Sequence, residues 1–240
     1  MTGFNGSPDN RRIQKLPLWK RATDISLCLL TLPFLAVGAL CISVIMRVVS
    51  PGPVFFLQER VGYQGRRFRI YKFRTMHVCA NTHTHQEYFK QLMQSNTPMT
   101  KLDLRNDTRL IPGGWLLRAT GVDELPQLIN VLLGDMSLVG PRPCIPTEYE
   151  NYLPYQLERF SAVPGLTGLW QVSGKNRTTF EEMIRLDIKY ARNLSFALDL
   201  KIILTTVPAL CRQGGDTGRA RPRSAVSASI PKTGQNTTGR

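Results

Sequence analysis

From Ile25 to Met46 the chain carries no charged residue. As a helix this stretch would measure roughly 33 Å, enough for a bilayer core of about 30 Å. The chain must therefore bury one long apolar helix, in lipid or in its own core. The segment does not read as a cleaved leader. It starts late, lacks a small-residue cleavage site, and runs into Arg47 and then Ser50-Pro51-Gly52-Pro53. Pro33 lies inside it, removing a helical hydrogen bond and crowding the preceding turn, which predicts a kink. Positive charge flanks both ends, with Lys15, Lys20 and Arg21 before and Arg47, Arg60, Arg66 and Arg67 after. Such flanks favour the cytoplasmic side. A helix that enters, bends at Pro33 and returns places both there. An ordinary span with a tolerated proline places one. On the residues alone both stay open.

Thirty-one Lys and Arg against 17 Asp and Glu give a net charge of +14. That balance suits an anionic partner: nucleic acid, anionic lipid or a phosphorylated substrate. The five cysteines (Cys28, Cys41, Cys79, Cys144 and Cys211) are scattered and odd in number. They point to a reducing compartment and against a disulfide scaffold or a cysteine zinc site. His77, His83 and His85 lie in a polar segment and read as solvated.

The chain divides into a disordered N-terminus (1–14), a basic interfacial segment with the membrane helix (15–49), a catalytic domain (50–211) and a disordered basic tail (212–240). The expected fold is mostly α with a small extended element. Val54–Leu57 and Phe68–Tyr71 read as extended segments around a Gly62–Gly65 turn. Helices are predicted near Gln86–Met93, over Trp115–Arg118, from about Asp123 to Leu133, and over Pro146–Phe160. Pro164–Gly174 reads as a glycine-punctuated loop. Thr178 or Thr179, each with Glu three residues on, opens a helix to about Arg192. Ser195–Cys211 suits a core helix or one lying on a membrane equally well.

Asp123-Glu124 opens the helix that contains Pro126. Proline belongs in a first turn, which puts Asp123 near the N-cap. Asp123 is then a plain cap, or a carboxylate beside backbone N–H groups that favour a phosphate. In the second reading it is a competent nucleophile, and Glu124 is a hard oxygen ligand for Mg²⁺. Arg142, between Pro141 and Pro143, presents a guanidinium from a stiffened backbone, suited to phosphate. Arg74 and Arg118 are candidate anion contacts. Glu59 reads as half of an ion pair with an arginine. Trp170 reads either as a stacking platform or as core.

Taken in order, these residues resemble a known family. Lys20-Arg21-x-x-Asp24 precedes the apolar helix with Pro33. Ser50-Pro51-Gly52-Pro53 leads to Gln58-Glu59-Arg60-Val61-Gly62, and Lys72-Phe73-Arg74-Thr75-Met76 follows. Asp123-Glu124-Leu125-Pro126-Gln127 comes next, then Gly134 to Pro143, then Pro164 to Gly174 with Gln171. This pattern, over about Lys20 to Leu210, resembles the bacterial sugar transferases, the monotopic polyprenyl-phosphate phosphoglycosyl transferases.

The resemblance implies a re-entrant helix broken at Pro33 and a catalytic domain on the cytoplasmic face of the bacterial inner membrane, with amphipathic interfacial helices. It implies transfer of a sugar-1-phosphate from a nucleotide diphosphate sugar, such as a UDP-sugar, to polyprenyl (undecaprenyl) phosphate, as the first membrane step of exopolysaccharide or glycoconjugate synthesis. Asp123 maps to the nucleophile and Glu124 to the Mg²⁺-associated glutamate, with Asp123 a second candidate metal contact. Arg142, Arg118, Arg74, Gln171 and Lys175 map to substrate or phosphate binding. Lys20, Arg21, Asp24, Pro33 and Glu59 map to structural or membrane roles. The partners implied are the two substrates and an anionic bilayer, with no nucleic acid and no oligomeric state specified. Many relatives have Arg at the position of Lys175, and the segment 77–101 is longer than the usual connection. The N-terminal multi-span region of large relatives has no counterpart here, so the chain resembles the minimal catalytic form. The rival reading is a membrane-tethered basic module that binds nucleic acid or anionic lipid without catalysis. It accounts for the charge but leaves Asp123-Glu124 and the Pro-Arg-Pro loop unexplained.

Overall fold

A computed structural model describes residues 17–78, 95, 97–99, 108–174 and 177–219, with backbone alone for 207 and 210–219. The N-terminus 1–14, the expected helix Gln86–Met93, His83, His85, Cys79 and Lys175 lie outside the described residues. So does the tail from 220 onward.

Helix α1, Leu18–Val49, is one element containing Pro33. It is long and apolar enough to cross a membrane, with mean hydropathy 2.5 over its most apolar window, of which 6% is buried. Burial is confined to its two ends. Lys20, Asp24 and Cys28 are buried near one end and Met46 near the other. Leu29, Leu30, Phe34, Val37 and Leu40 between them are exposed. Cys28 joins a core cluster with Ile70, Leu128, Val131 and Met136. Met46 joins another with Phe73 and Ile111. Both ends thus dock on one body.

Strands β1 (Phe55–Val61) and β2 (Arg67–Phe73) form an antiparallel hairpin with Arg60 opposite Phe68. They extend the segments expected from sequence. Helix α2, Gly114–Thr120, ends at Gly121, whose φ of 74° turns the chain into a 3-10 helix, Val122–Gln127. Helix α3, Leu128–Leu133, continues it and stops at Gly134, where φ is 87°. The predicted Asp123–Leu133 helix is therefore present but begins with 3-10 geometry, as suits the missing N–H of Pro126.

Two expectations need correction. Pro146–Phe160 is not one helix but a short α4, Pro146–Tyr149, and a 3-10 helix, Pro154–Ser161. Pro154 cannot continue the first and starts the second. Pro164–Gly174 is not a loop throughout. It forms β4, Gly165–Thr167, and α5, Leu169–Val172. Strand β4 pairs in parallel with β3, Ser137–Val139, which pattern did not reveal. The glycines are there for close approach, since a methyl on Gly140 would overlap the Val163 carbonyl and crowd the Gly165 N–H.

Helix α6, Phe180–Arg192, opens on the expected capping box. Thr179 Oγ1 accepts from the Glu182 N–H at 3.2 Å, and Glu182 Oε2 accepts from the Thr179 N–H at 2.8 Å. Its Met183, Ile184 and Ile188 pack with Val61, Cys144, Phe160 and Trp170. Helix α7 runs Phe196–Arg219, past the point where the disordered tail was expected to begin. Its Ile202 is core, while Phe196, Leu200 and Leu204 are exposed at four-residue spacing.

The bond that joins α1 to this body is Lys20. Its ammonium is 1% exposed and donates to the Val139 carbonyl at 2.9 Å, Tyr190 Oη at 3.0 Å and Asp199 Oδ2 at 2.5 Å. Asp24 Oδ1, one turn on, accepts from the Leu138 N–H at 3.0 Å and Ser137 Oγ at 3.1 Å. Arg21 donates to the carbonyls of Val131 and Leu132 at the end of α3. Removing one partner of a buried pair strands the other. Lys20→Met should therefore cost about 3–5 kcal/mol, and pairing it with Asp199→Leu should recover part of that loss. Thermal unfolding in detergent measures both, and a double variant no better than the single would count against this account.

Candidate active site

Asp123 and Glu124 occupy the first turn of the 3-10 helix. Gly121, not Asp123, is the cap, and no side-chain cap bond is made. The plain capping role for Asp123 is thus not what the structure displays. Asp123 is 9% exposed. Glu124 Oε1 accepts from Lys72 Nζ at 2.7 Å, with the glutamate side chain 40% exposed. Strand β2 supplies that lysine because it packs on the 3-10 helix. Three consecutive residues of β2 and its exit do three jobs. Lys72 meets Glu124, Phe73 enters the cluster under the end of α1, and Arg74 donates to the Ser50 carbonyl at 2.7 Å. Arg74 also reaches the Pro51 carbonyl at 3.3 Å. The structure thus places this candidate anion contact as a buried clamp on the end of α1. Arg118 sits half-buried in the last turn of α2, five residues before Asp123.

Gly140-Pro141-Arg142-Pro143 follows β3, and its backbone is held carbonyl by carbonyl. The Gly165 N–H donates to Pro141 at 2.9 Å and Arg159 Nη2 to Arg142 at 2.8 Å. Arg60 Nη1 donates to Pro143 at 3.3 Å and the Val61 N–H to Cys144 at 2.8 Å. The Arg142 guanidinium meets buried Glu148 at 2.9 and 3.4 Å. Burial pulls the Arg142 pKa down, but Glu148 more than restores it, and the net direction is up. Arg159 is fully buried and paired with Asp187 and Tyr152. Burial, and then Glu148, pushes the Cys144 thiol up to about 11, so it is a protonated, inert thiol at neutral pH.

Arg60 links the two halves. It touches the Pro-Arg-Pro loop through Pro143, and the Glu124 charge acts on it. Gln171 instead turns back on β4, its Nε2 donating to the Leu166 carbonyl at 3.2 Å. Glu59 pairs with Arg67 at 3.6 Å, with both side chains more than half exposed, so the pair is a weak, solvated one. Trp170 is core. Sequence reasoning singled out Lys72-Phe73-Arg74 but favoured its arginine over the lysine. Arg60 stood in plain view within Gln58-Glu59-Arg60. Glu148 and Arg159 gave no local signal, because their partners lie 6 and 28 residues away.

If Glu148 sets the aim of Arg142, then Glu148→Gln, which keeps the shape but loses the charge, should lower turnover by roughly tenfold. Turnover is compared per folded protein, since losing the charge of buried Glu148 also lowers the melting temperature. Unchanged turnover would remove Glu148 from the site.

Comparison with known proteins identifies the family. The family described as bacterial sugar transferase matches residues 15–213. A galactosyl transferase, CpsE, of Streptococcus agalactiae is 44% identical over 192 residues, 78% of this chain and 41% of that one. The exopolysaccharide production protein ExoY of Sinorhizobium fredii is 36% identical over 197 residues, 82% of this chain and 87% of that one. A UDP-glucose:undecaprenyl-phosphate glucose-1-phosphate transferase of Caulobacter vibrioides is 39% identical over 202 residues, 80% of this chain and 70% of that one. The chain thus spans less than half of the first relative but most of the second. The matched span runs from the anchoring lysine of α1, through the carboxylate pair and the clamped arginine loop, into α7, and the chain belongs to the bacterial sugar transferase family.

Proposed function

We propose that this protein transfers a sugar-1-phosphate from a UDP-sugar to a polyprenyl phosphate such as undecaprenyl phosphate, as the first membrane step of exopolysaccharide or glycoconjugate synthesis. The observation that carries the reading is the sheltered Asp123, beside Glu124 on Lys72 and linked through Arg60 to the Pro-Arg-Pro loop. The names of the relatives point the same way.

Asp123 attacks the phosphorus that bears the sugar. An Oδ–P bond forms, the bond from that phosphorus to the bridging oxygen breaks, and UMP departs with the electron pair. A phosphate oxygen of the lipid then attacks the same phosphorus and breaks the Oδ–P bond, which regenerates the Asp123 carboxylate. Splitting one displacement into two lets one site serve a soluble and a lipid substrate in turn. Lys72 holds Glu124 in place, while Arg142 and Arg118 are the contacts assigned to phosphate charge.

Among the described residues no cluster of three or more His, Cys, Asp or Glu could cage a metal. Adjacent carboxylates are nevertheless what Mg²⁺ takes when substrate phosphates fill its remaining positions. Glu124 and Asp123 would hold it. It would supply charge neutralisation on the diphosphate.

Helix α1 supports a placement at the membrane. Both ends dock on the catalytic body and only the middle is bare, which supports a helix that dips into the cytoplasmic face of the inner membrane and returns. The exposed Trp115, Leu116, Leu133, Phe196 and Leu200 suit an interfacial bed of α2, α3 and α7 on an anionic leaflet.

Membranes carrying the protein, given Mg²⁺, undecaprenyl phosphate and a panel of UDP- and GDP-sugars, should release UMP from at least one donor. Asp123→Asn should abolish this, by on the order of 10³-fold or more. Release of no nucleotide from any donor by intact protein would sink the proposal. For topology, single cysteines in place of Leu18 and Val49, in a cysteine-free background, should both react with an impermeant maleimide from the cytoplasmic side alone. Labelling from opposite sides would show an ordinary span.

A further inference from the structure

Among the described residues, more cations than anions gather around the Pro-Arg-Pro loop. The cations Arg60, Arg142 and Arg159 gather there with the anions Glu148 and Asp187. Glu148 is engaged by Arg142 at 2.9 Å, and Asp187 by Arg159. Arg60 has no carboxylate at ion-pair distance among the described residues. Its Nη2 donates to Gln58 Oε1 at 2.6 Å and its Nη1 to the Pro143 carbonyl at 3.3 Å, both neutral. Its Nε is out of contact with water and has no acceptor.

A sheltered guanidinium with a spare N–H is costly unless something cancels it. Burial, and then the neighbouring Arg142, pushes the Arg60 pKa down to about 10, so the fold works against this charge. Two neutral acceptors do not need a cation, since a glutamine amide serves them. A planar fork of donors beside a second guanidinium is instead the arrangement that suits phosphate oxygens. Position agrees. Arg60 touches the loop of Arg142 on one side and lies within the field of Glu124 on the other.

We propose that Arg60 is a substrate-binding residue, forming with Arg142 a two-guanidinium cradle for the diphosphate of the sugar donor, with the Nη–H groups not taken by Gln58 and Pro143 given to phosphate oxygens. The anion supplies the missing negative charge. This rests on the phosphotransferase reading, so its test includes a readout that needs no turnover.

The test uses the full chain in detergent and in membranes, with UDP as probe and uridine, which lacks phosphates, as control. UDP should raise the melting temperature of wild type by binding the folded state, and uridine should not. Arg60→Gln should melt within a few degrees of wild type when no ligand is added, yet lose the UDP shift. In membranes its KM for the UDP-sugar should rise at least about tenfold. Arg60→Lys, which keeps charge without the fork, should fall between. A wild type that UDP does not shift, or an Arg60→Gln variant shifted as much as wild type, overturns the proposal. So does a loss of activity in Arg60→Gln that follows only its folded fraction, with KM unchanged. Failure of wild type to release nucleotide from any donor would sink the transferase reading instead, and the UDP shift would still decide the role of Arg60.

Discussion

A buried ammonium group sits where the apolar helix α1 meets the rest of this protein. Lys20 enters the core from the apolar helix α1 and finds a carbonyl, a phenol and a carboxylate waiting for it. The carbonyl belongs to Val139, the last residue before the Gly-Pro-Arg-Pro loop. Tyr190 Oη gives its one proton to Asp199 Oδ1 at 2.7 Å and lies 3.0 Å from that same carbonyl. Buried lysines are tolerated only when fully paired, and here every partner comes from a different element: β3, α6 and α7. Asp24 repeats the arrangement with opposite sign on the two residues before Val139. The entry of α1 and the entry of the Gly-Pro-Arg-Pro loop are thus one structural unit.

The far end of α1 is tied to the other arm of the site. Arg74 takes up the carbonyls of Ser50 and Pro51, two residues after Lys72 has met Glu124. Carbonyls at a helix terminus have no partner within the helix, and a guanidinium can satisfy two at once. The apolar helix and the polar site therefore share their fastenings. The lysine of the first motif and the arginine of the third act at opposite ends of α1.

Much of this was legible in the chain. The uncharged stretch announced α1, the capping box at Thr179 announced α6, and Gly62–Gly65 announced the hairpin turn. Each of these signals is local. What stayed hidden was of longer range. The β3–β4 pair is only three residues per strand, too short for alternation to declare itself. Arg74 and Arg142 looked alike from sequence, two arginines in basic or proline-rich surroundings. Folding places one on backbone carbonyls and the other on a buried glutamate. Asp123 was read as near the cap because proline marks a first turn, but the turn is 3-10 and the cap moves back to Gly121.

Stitching both arms of the site to one apolar helix has a consequence for when the protein can act. With its middle bare, α1 in water would be driven to aggregate or to fold back on other apolar surface. In doing so it would let go of Val139 at one end and release Arg74 at the other. Both arms would then lose their anchors. On the phosphotransferase reading, a newly made copy still in the cytosol would leave nucleotide sugars untouched. Arrival at the bilayer would itself be the step that switches the chemistry on.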